Sequence, residues 1–166
     1  MKQGFSFDRE LAIVWPRLRR FAYALTRDAA DADDLAQMAA EKAFRSHHQF
    51  QPDSRFDSWM FRICRTVWID TIRSRQRRAV HEAPAEAGEH LGHDPRAAIE
   101  ASIDLATAMA AMQRLPDEQR EVVALILIDG FGYREAADIL GQPIGTVSSR
   151  LVRGRKALLD LLGKDQ

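Results

Sequence analysis

The chain has almost no cysteine. Cys64 stands alone among 166 residues, so no internal disulfide can form. One cysteine fits a reducing compartment, and inside an apolar helical pattern it reads as a small core residue. Long apolar runs are missing too. None reaches the ~18 residues that mark a membrane helix. The first ten residues, MKQGFSFDRE, carry acids and lack the apolar stretch of a signal peptide. The expected location is the cytoplasm, with no direct membrane insertion. Net charge is zero, since 24 Lys+Arg balance 24 Asp+Glu. Alternating strand patterns, glycine-rich phosphate loops, cysteine–histidine metal spacings and nucleophile–base pairs are all absent. An enzyme has no support here, and no cofactor, metal or small-molecule substrate is expected.

What remains is helical pattern and uneven charge. Residues 51–78 hold seven basic and three acidic residues, and residues 134–156 hold five and two. Between them, residues 79–104 hold one basic and six acidic residues. The neutral total therefore conceals two basic blocks flanking an acidic connector, a distribution suited to nucleic acid.

The clearest local pattern is YREAADILGQPIGTVSSRLVRGRKALLDLL, Tyr133 to Leu162. A short helix with a small apolar face (Ala136, Ala137, Leu140) meets Gly141, placed as a helix-ending glycine. Pro143 suits the start of the next helix, where a missing N–H costs nothing. Short helix, glycine turn and longer basic helix make a helix-turn-helix. At ~100° per residue, Val147, Leu151, Gly154 and Leu158 share one face of the longer helix. Thr146, Ser149, Arg150 and Arg153 share another, with Lys156 beside them. Hydroxyls and guanidinium groups in that array suit phosphates and base edges, whereas the plainer reading is a solvated basic face.

Further upstream, residues 8–26 carry Leu11, Val14, Trp15, Leu18, Phe21 and Leu25 at helical period. Pro16 falls inside, which predicts either a kink or a helix starting near Trp15. Acids from Asp28 to Asp34 suit the positive end of a second helix running to about Arg45, with Leu35, Met38, Ala39 and Lys42 or Ala43 facing inward. His47–Arg55 has turn composition. Phe56–Arg78 is the strongest helix, with a stripe of Phe56, Met60, Ile63 and Val67. Another face carries Arg62, Thr66, Ile69, Arg73 and Arg77, and only Asp70 offers a local acid, so phosphate binding competes evenly with solvation. Residues 79–98 read as a linker. Its His81, His90 and His93 match no strong zinc spacing and read as linker polar residues. Helices are then expected over Ile99–Met112, Glu118–Ile128 and the helix-turn-helix. The fold class is all-α: an N-terminal helical domain over 8–78, a flexible linker over 79–98 and a C-terminal helix-turn-helix domain over 99–163.

Three stretches carry a family resemblance. DADDLAQMAAEKAF (Asp31–Phe44) resembles the region 2.1–2.2 helix of the extracytoplasmic-function (ECF) sigma factors, the compact bacterial transcription initiation factors. RFDSWMFRICRTVWIDTIRSRQRR (Arg55–Arg78) resembles their regions 2.3–2.4, and LPDEQREVVALILIDGFGYREAADILGQPIGTVSSRLVRGRKAL (Leu115–Leu158) their region 4. Met38-Ala39, Phe44 and Thr66 depart from the usual pattern. The resemblance implies core RNA polymerase and promoter DNA as partners, with an anti-sigma factor as regulator. It implies polymerase docking by Asp34, Leu35, Gln37, Met38 and Glu41. Pro143, Ile144, Thr146, Ser149, Arg150 and Arg153 would read the −35 element. In the His47–Arg55 loop, Gln49, Phe50 and Ser54 would receive a −10 base turned out of the stack, while Arg62, Thr66, Ile69 and Arg73 face the −10 duplex. The runner-up is a helix-turn-helix regulator acting without polymerase. It accounts for residues 115–162 and leaves the two upstream stretches unexplained.

Overall fold

A computed structural model describes residues 4–81 and 103–164, and among these every regular element is helical. The elements are α1 (Phe7–Thr26), α2 (Ala29–Arg45), a 3₁₀ turn at His47–Gln49, α3 (Phe56–His81), α4 (Ile103–Gln113), α5 (Asp117–Val123), a π-helical turn at Ala124–Ile128, α6 (Tyr133–Leu140) and α7 (Ile144–Lys164). Most of the expected linker, and His90 and His93 with it, lies outside the described residues; His81 is the last residue of α3.

The first three helices pack through most of the apolar positions expected from their period, but Met38 of α2 is 41% exposed, and on α3 Phe61 is buried where Ile63 and Val67 are only half-buried. Val14, Leu18, Phe21 and Leu25 of α1 are buried with Leu35 and Ala39 of α2 and Met60, Phe61 and Cys64 of α3. Burial of Cys64 pushes its thiol up to about 12, so it is an inert core group. Pro16 does not start the helix: α1 begins nine residues earlier and runs through it. Proline removes the donor to the carbonyl of Ala12, and both residues face solvent, where water replaces the lost bond. Asp28 begins α2, its Oδ1 accepting the Asp31 N–H at 2.8 Å.

The C-terminal helices wrap a second set of apolar residues, including Leu115, Val122, Leu125, Ile139, Val147 and Leu151. The expected helix over Glu118–Ile128 is there, but its second half widens into a π-helical turn and exposes Leu127. The Asp129 N–H then bonds to the Ala124 carbonyl, and Gly130 turns the chain at φ +73°.

The two groups of helices are in contact. Phe61 of α3 meets Phe131 edge-on at 5.0 Å. Arg17 of α1 lies over both rings and donates to Asp57 of α3 (3.0 Å) and to Asp129 (3.3 Å). Arg20 donates to the same Asp129 carboxylate at 2.9 Å. Burial raises the Asp129 pKa despite Arg20 and Arg17. Asp57 shows the opposite balance: burial pushes up, but hydrogen bonds from Arg55 and Arg17 win and hold the carboxyl below its ordinary value. At the other edge, Arg65 pairs with Glu121 (3.3 Å) and Arg55 with Glu135 (2.5 Å). Arg120 is 1% exposed and donates from α5 to the carbonyl of Ala24 near the end of α1.

Candidate nucleic-acid interface

The helix-turn-helix forms as its sequence implies. The Gly132 N–H donates to Glu135 at 3.0 Å, closing the start of α6. Gly141 takes φ +61° at its end, a conformation in which any Cβ is strained. The Pro143 carbonyl accepts from Thr146 and Val147, launching α7. Val147, Leu151 and Gly154 turn inward, and Gly154 is the tightest point. A Cβ built there would lie 2.9 Å from Val123 Cγ2 and 3.3 Å from the Gln119 carbonyl oxygen. That close approach sets how α7 lies against α5.

The opposite face of α7 is open. Pro143, Ile144, Ser149, Arg153 and Lys156 are exposed and Thr146 is half-buried. The Ser149 hydroxyl donates to the Thr146 carbonyl and the Arg153 Nε to the Ser149 carbonyl. These are bonds within the helix that leave the outer edges of both groups free. Arg150 is different. Its guanidinium donates to Gln142 Oε1 and pairs with Glu118 at 3.0 Å, with its side chain 15% exposed. It staples the turn and the first turn of α5 onto α7. Arg150→Ala should lower stability by about 1–3 kcal/mol, whereas Arg153→Ala should stay within about 0.5 kcal/mol; thermal unfolding of the two variants separates them.

On α3, Arg62, Thr66, Arg73 and Arg77 are exposed and Ile69 is half-buried. The Thr66 hydroxyl donates to the Arg62 carbonyl. Among the described residues Arg62, Arg73 and Arg77, and Arg78 next in the chain, have no carboxylate partner, whereas Arg65 and Arg75 are taken by Glu121 and Asp31. The helix thus divides its arginines into one set used by the fold and one set left for solvent or a ligand. Only members of the second set lie on the face marked out by spacing.

The loop from Ser46 to Arg55 joins α2 to α3. Gln49 and Ser54 are exposed, and the Ser54 hydroxyl donates to the Gln51 carbonyl at 2.7 Å. Phe50 is not available as a surface ring. It is 8% exposed, seated on Phe56 (5.4 Å) and Trp59 (5.2 Å), and covered by Phe5 (4.9 Å). Sequence reasoning missed Phe5, because nothing local connects residue 5 to residue 50.

Asp34, Gln37, Met38 and Glu41 form an exposed ridge along α2. Leu35 is 1% exposed, so it anchors that ridge from inside and touches no partner. A groove flanks the ridge on each side: one of about 460 Å³ against Leu11 and Trp15 of α1, and one of about 590 Å³ against Val67 and Trp68 of α3.

Comparison with known proteins gives the family of the chain. A family profile described as Sigma-70 region 2 matches residues 14–78, and one described as Sigma-70, region 4 matches residues 105–158. The chain is 37% identical over 158 residues to the ECF RNA polymerase sigma factor EcfG of Rhodopseudomonas palustris, covering 95% of this chain and 85% of that protein. It is 35% identical to the ECF RNA polymerase sigma factor SigE of Mycolicibacterium smegmatis, covering 89% of this chain and 58% of that relative. Among solved structures, the sigma factor RpoE in complex with the anti-sigma factor NepR from Bartonella quintana aligns with a TM-score of 0.77 and 33% identity, over 96% of this chain and 98% of that one. An all-helical fold carrying both region 2 and region 4 defines the sigma-70 class of transcription initiation factors. Within it, the chain belongs to the ECF sigma factors.

Proposed function

We propose that the chain guides core RNA polymerase to promoters by two separate DNA-reading faces, without chemistry of its own. Residues 8–78 form the unit that docks on core and handles the −10 element, residues 99–163 read the −35 element, and residues 79–98 connect them. The carrying observation is the pair of exposed faces: Arg62, Arg73 and Arg77 on α3, without carboxylate partners among the described residues, and Ser149, Arg153 and Lys156 on α7. Cations left unneutralised by the fold are what phosphate binding requires. On α7, Pro143, Ile144 and Thr146 stand at the helix start, where base edges are met. Arg150 contributes mainly by holding that helix start in place. On α2, Asp34, Gln37, Met38 and Glu41 are the polymerase contacts.

Control by an anti-sigma factor is part of the proposal. It is supported by the overall likeness to a sigma factor solved with its anti-sigma partner. A cytoplasmic location accords with the partners, and no described helix is long and apolar enough to cross a membrane. The test combines the purified chain with sigma-free bacterial core polymerase on a genomic promoter library. Transcripts starting at defined sites are expected. Reversing the ridge charges with Asp34→Arg and Glu41→Arg should weaken core binding roughly tenfold or more while leaving duplex binding by α7 unchanged. Duplex binding without core binding in the unmodified chain would favour the free-standing regulator.

A further inference from the structure

Residues 4–6 precede α1 without being helical, yet their aromatic ring is firmly placed. Phe5 lies over Phe50 with ring centroids 4.9 Å apart and planes 30° from parallel, and 5.8 Å from Phe56. Two residues later Phe7 meets Phe56 edge-on at 5.5 Å and Phe44 at 5.7 Å. The Phe-Ser-Phe segment therefore grips both ends of the Ser46–Arg55 loop. Phe50 is enclosed by Phe5, Phe56 and Trp59 and has no open face left. Phe5 is 46% exposed. An apolar ring packed on a buried aromatic floor yet nearly half exposed, against the loop that carries exposed Gln49 and Ser54, is how a base-stacking platform is built.

We infer that Phe5, and not Phe50, supplies the stacking surface for an unpaired base at this loop, with Phe50 as the buried floor that holds Phe5 in place. The inference rests on the proposed role of the loop in receiving a base from the opened −10 region, and it adds the N-terminal segment to that site. The chemical class of ligand is single-stranded DNA. Its base contributes the π face, and Gln49 and Ser54 offer hydrogen-bonding groups to its edge. Stacking of this kind is tolerant of base identity, so Phe5 sets how strongly the open strand is held, and the polar pair sets which base is preferred.

The experiment uses holoenzyme reconstituted from the full chain and core polymerase. The probes are a randomised single-stranded 12-mer bearing 5-iodouracil and a double-stranded promoter fragment selected from the library above. Phe5→Leu keeps apolar area but loses the ring, and should weaken 12-mer binding about tenfold, the scale of one lost base–aromatic stack. Duplex binding by the −35 face should not change. Phe5→Trp should restore binding, and photocrosslinking of the unmodified holoenzyme should mark the peptide containing Phe5. If Gln49→Ala and Ser54→Ala weaken the 12-mer while Phe5→Leu does not, the inference about Phe5 fails and the loop's role stands. If none of the three variants matters, the loop is not the capture site and both ideas fall. Equal loss of 12-mer and duplex binding in Phe5→Leu, without rescue by Phe5→Trp, would show that Phe5 only packs.

Discussion

Replacing Arg120 by alanine is expected to cost about 3–5 kcal/mol of stability, the largest loss for any polar side chain in the described fold. Its guanidinium is buried and serves three acceptors: the Ala24 carbonyl, the Leu115 carbonyl at 2.7 Å and Asp117 at 2.5 Å. Alanine would strand the Ala24 carbonyl in an apolar setting, leave the Leu115 carbonyl to Arg27 alone, and open a cavity the size of the lost chain. Burial draws the Arg120 pKa down against the pull of Asp117, but a guanidinium this basic stays charged at any physiological pH. Arg27 provides the internal control. It reaches the same Leu115 carbonyl and the same Asp117 from the surface, with its side chain 45% exposed. Arg27→Ala should therefore cost less than about 1 kcal/mol. Thermal and denaturant unfolding of both variants, with Arg120→Lys as an intermediate, would measure the difference. Equal, small losses would mean that Arg120 is not the structural node the geometry describes.

Gly154→Leu is the second large effect expected. A Cβ already lies 2.9 Å from Val123 and 3.2 Å from the Gln119 Cβ, so the larger chain has nowhere to go without pushing α7 off α5. Overpacking of this kind costs about 1–3 kcal/mol when the core can adjust. Here the Gln119 backbone is one of the obstacles, and the upper end is expected. Because α7 carries the reading face, duplex DNA binding should fall even at temperatures where the chain stays helical. Gly154→Ala is a finer probe. It gains about 1 kcal/mol of helix propensity against tight contacts of its Cβ, the shortest with a Val123 methyl and the next with the Gln119 Cβ and carbonyl oxygen. Combining it with Val123→Ala should therefore recover stability relative to the sum of the single changes. Strictly additive effects in that cycle would show that the contact carries no energy.

Much of this was legible in the chain. Helical period located α1, α2 and α3, and the turn glycine Gly141 located the helix-turn-helix. Spacing also separated the inward face of α7 (Val147, Leu151, Gly154) from its outward one. Periodicity tells which residues share a face, but not what another helix brings to that face. Arg150 shares a face with Ser149 and Arg153, yet Glu118 reaches it from 32 positions away and turns it into a staple. Phe50 looked like a loop aromatic because the residue that covers it is Phe5. Helical period turns Leu35 inward and it is buried; only the resemblance had made it a polymerase contact. The contact between the two helical groups left no local trace at all. Arg17 and Asp129 are 112 positions apart, and each alone reads as a surface charge.

That contact has a consequence in populations. α3 touches α6, and α6 touches α7, so two packing steps of about 8–10 Å separate the helices that carry the reading faces. Even with the full length of α3 added, 26 residues and ~39 Å, the reach stays at about 60 Å. Two elements about 25 base pairs apart on B-DNA stand ~85 Å from each other, at ~3.4 Å per base pair. On the proposed reading, the packed form cannot engage both elements at once, and the promoter-bound chain is a different, opened state. Apparent promoter affinity is then the intrinsic affinity scaled by the fraction of molecules already open. Every ~1.4 kcal/mol held in Arg120–Ala24, Phe61–Phe131 and the Asp129 cluster lowers it tenfold. The seam between the halves thus acts as a threshold, and core polymerase or a regulator shifts it by favouring one side of an equilibrium the chain already contains.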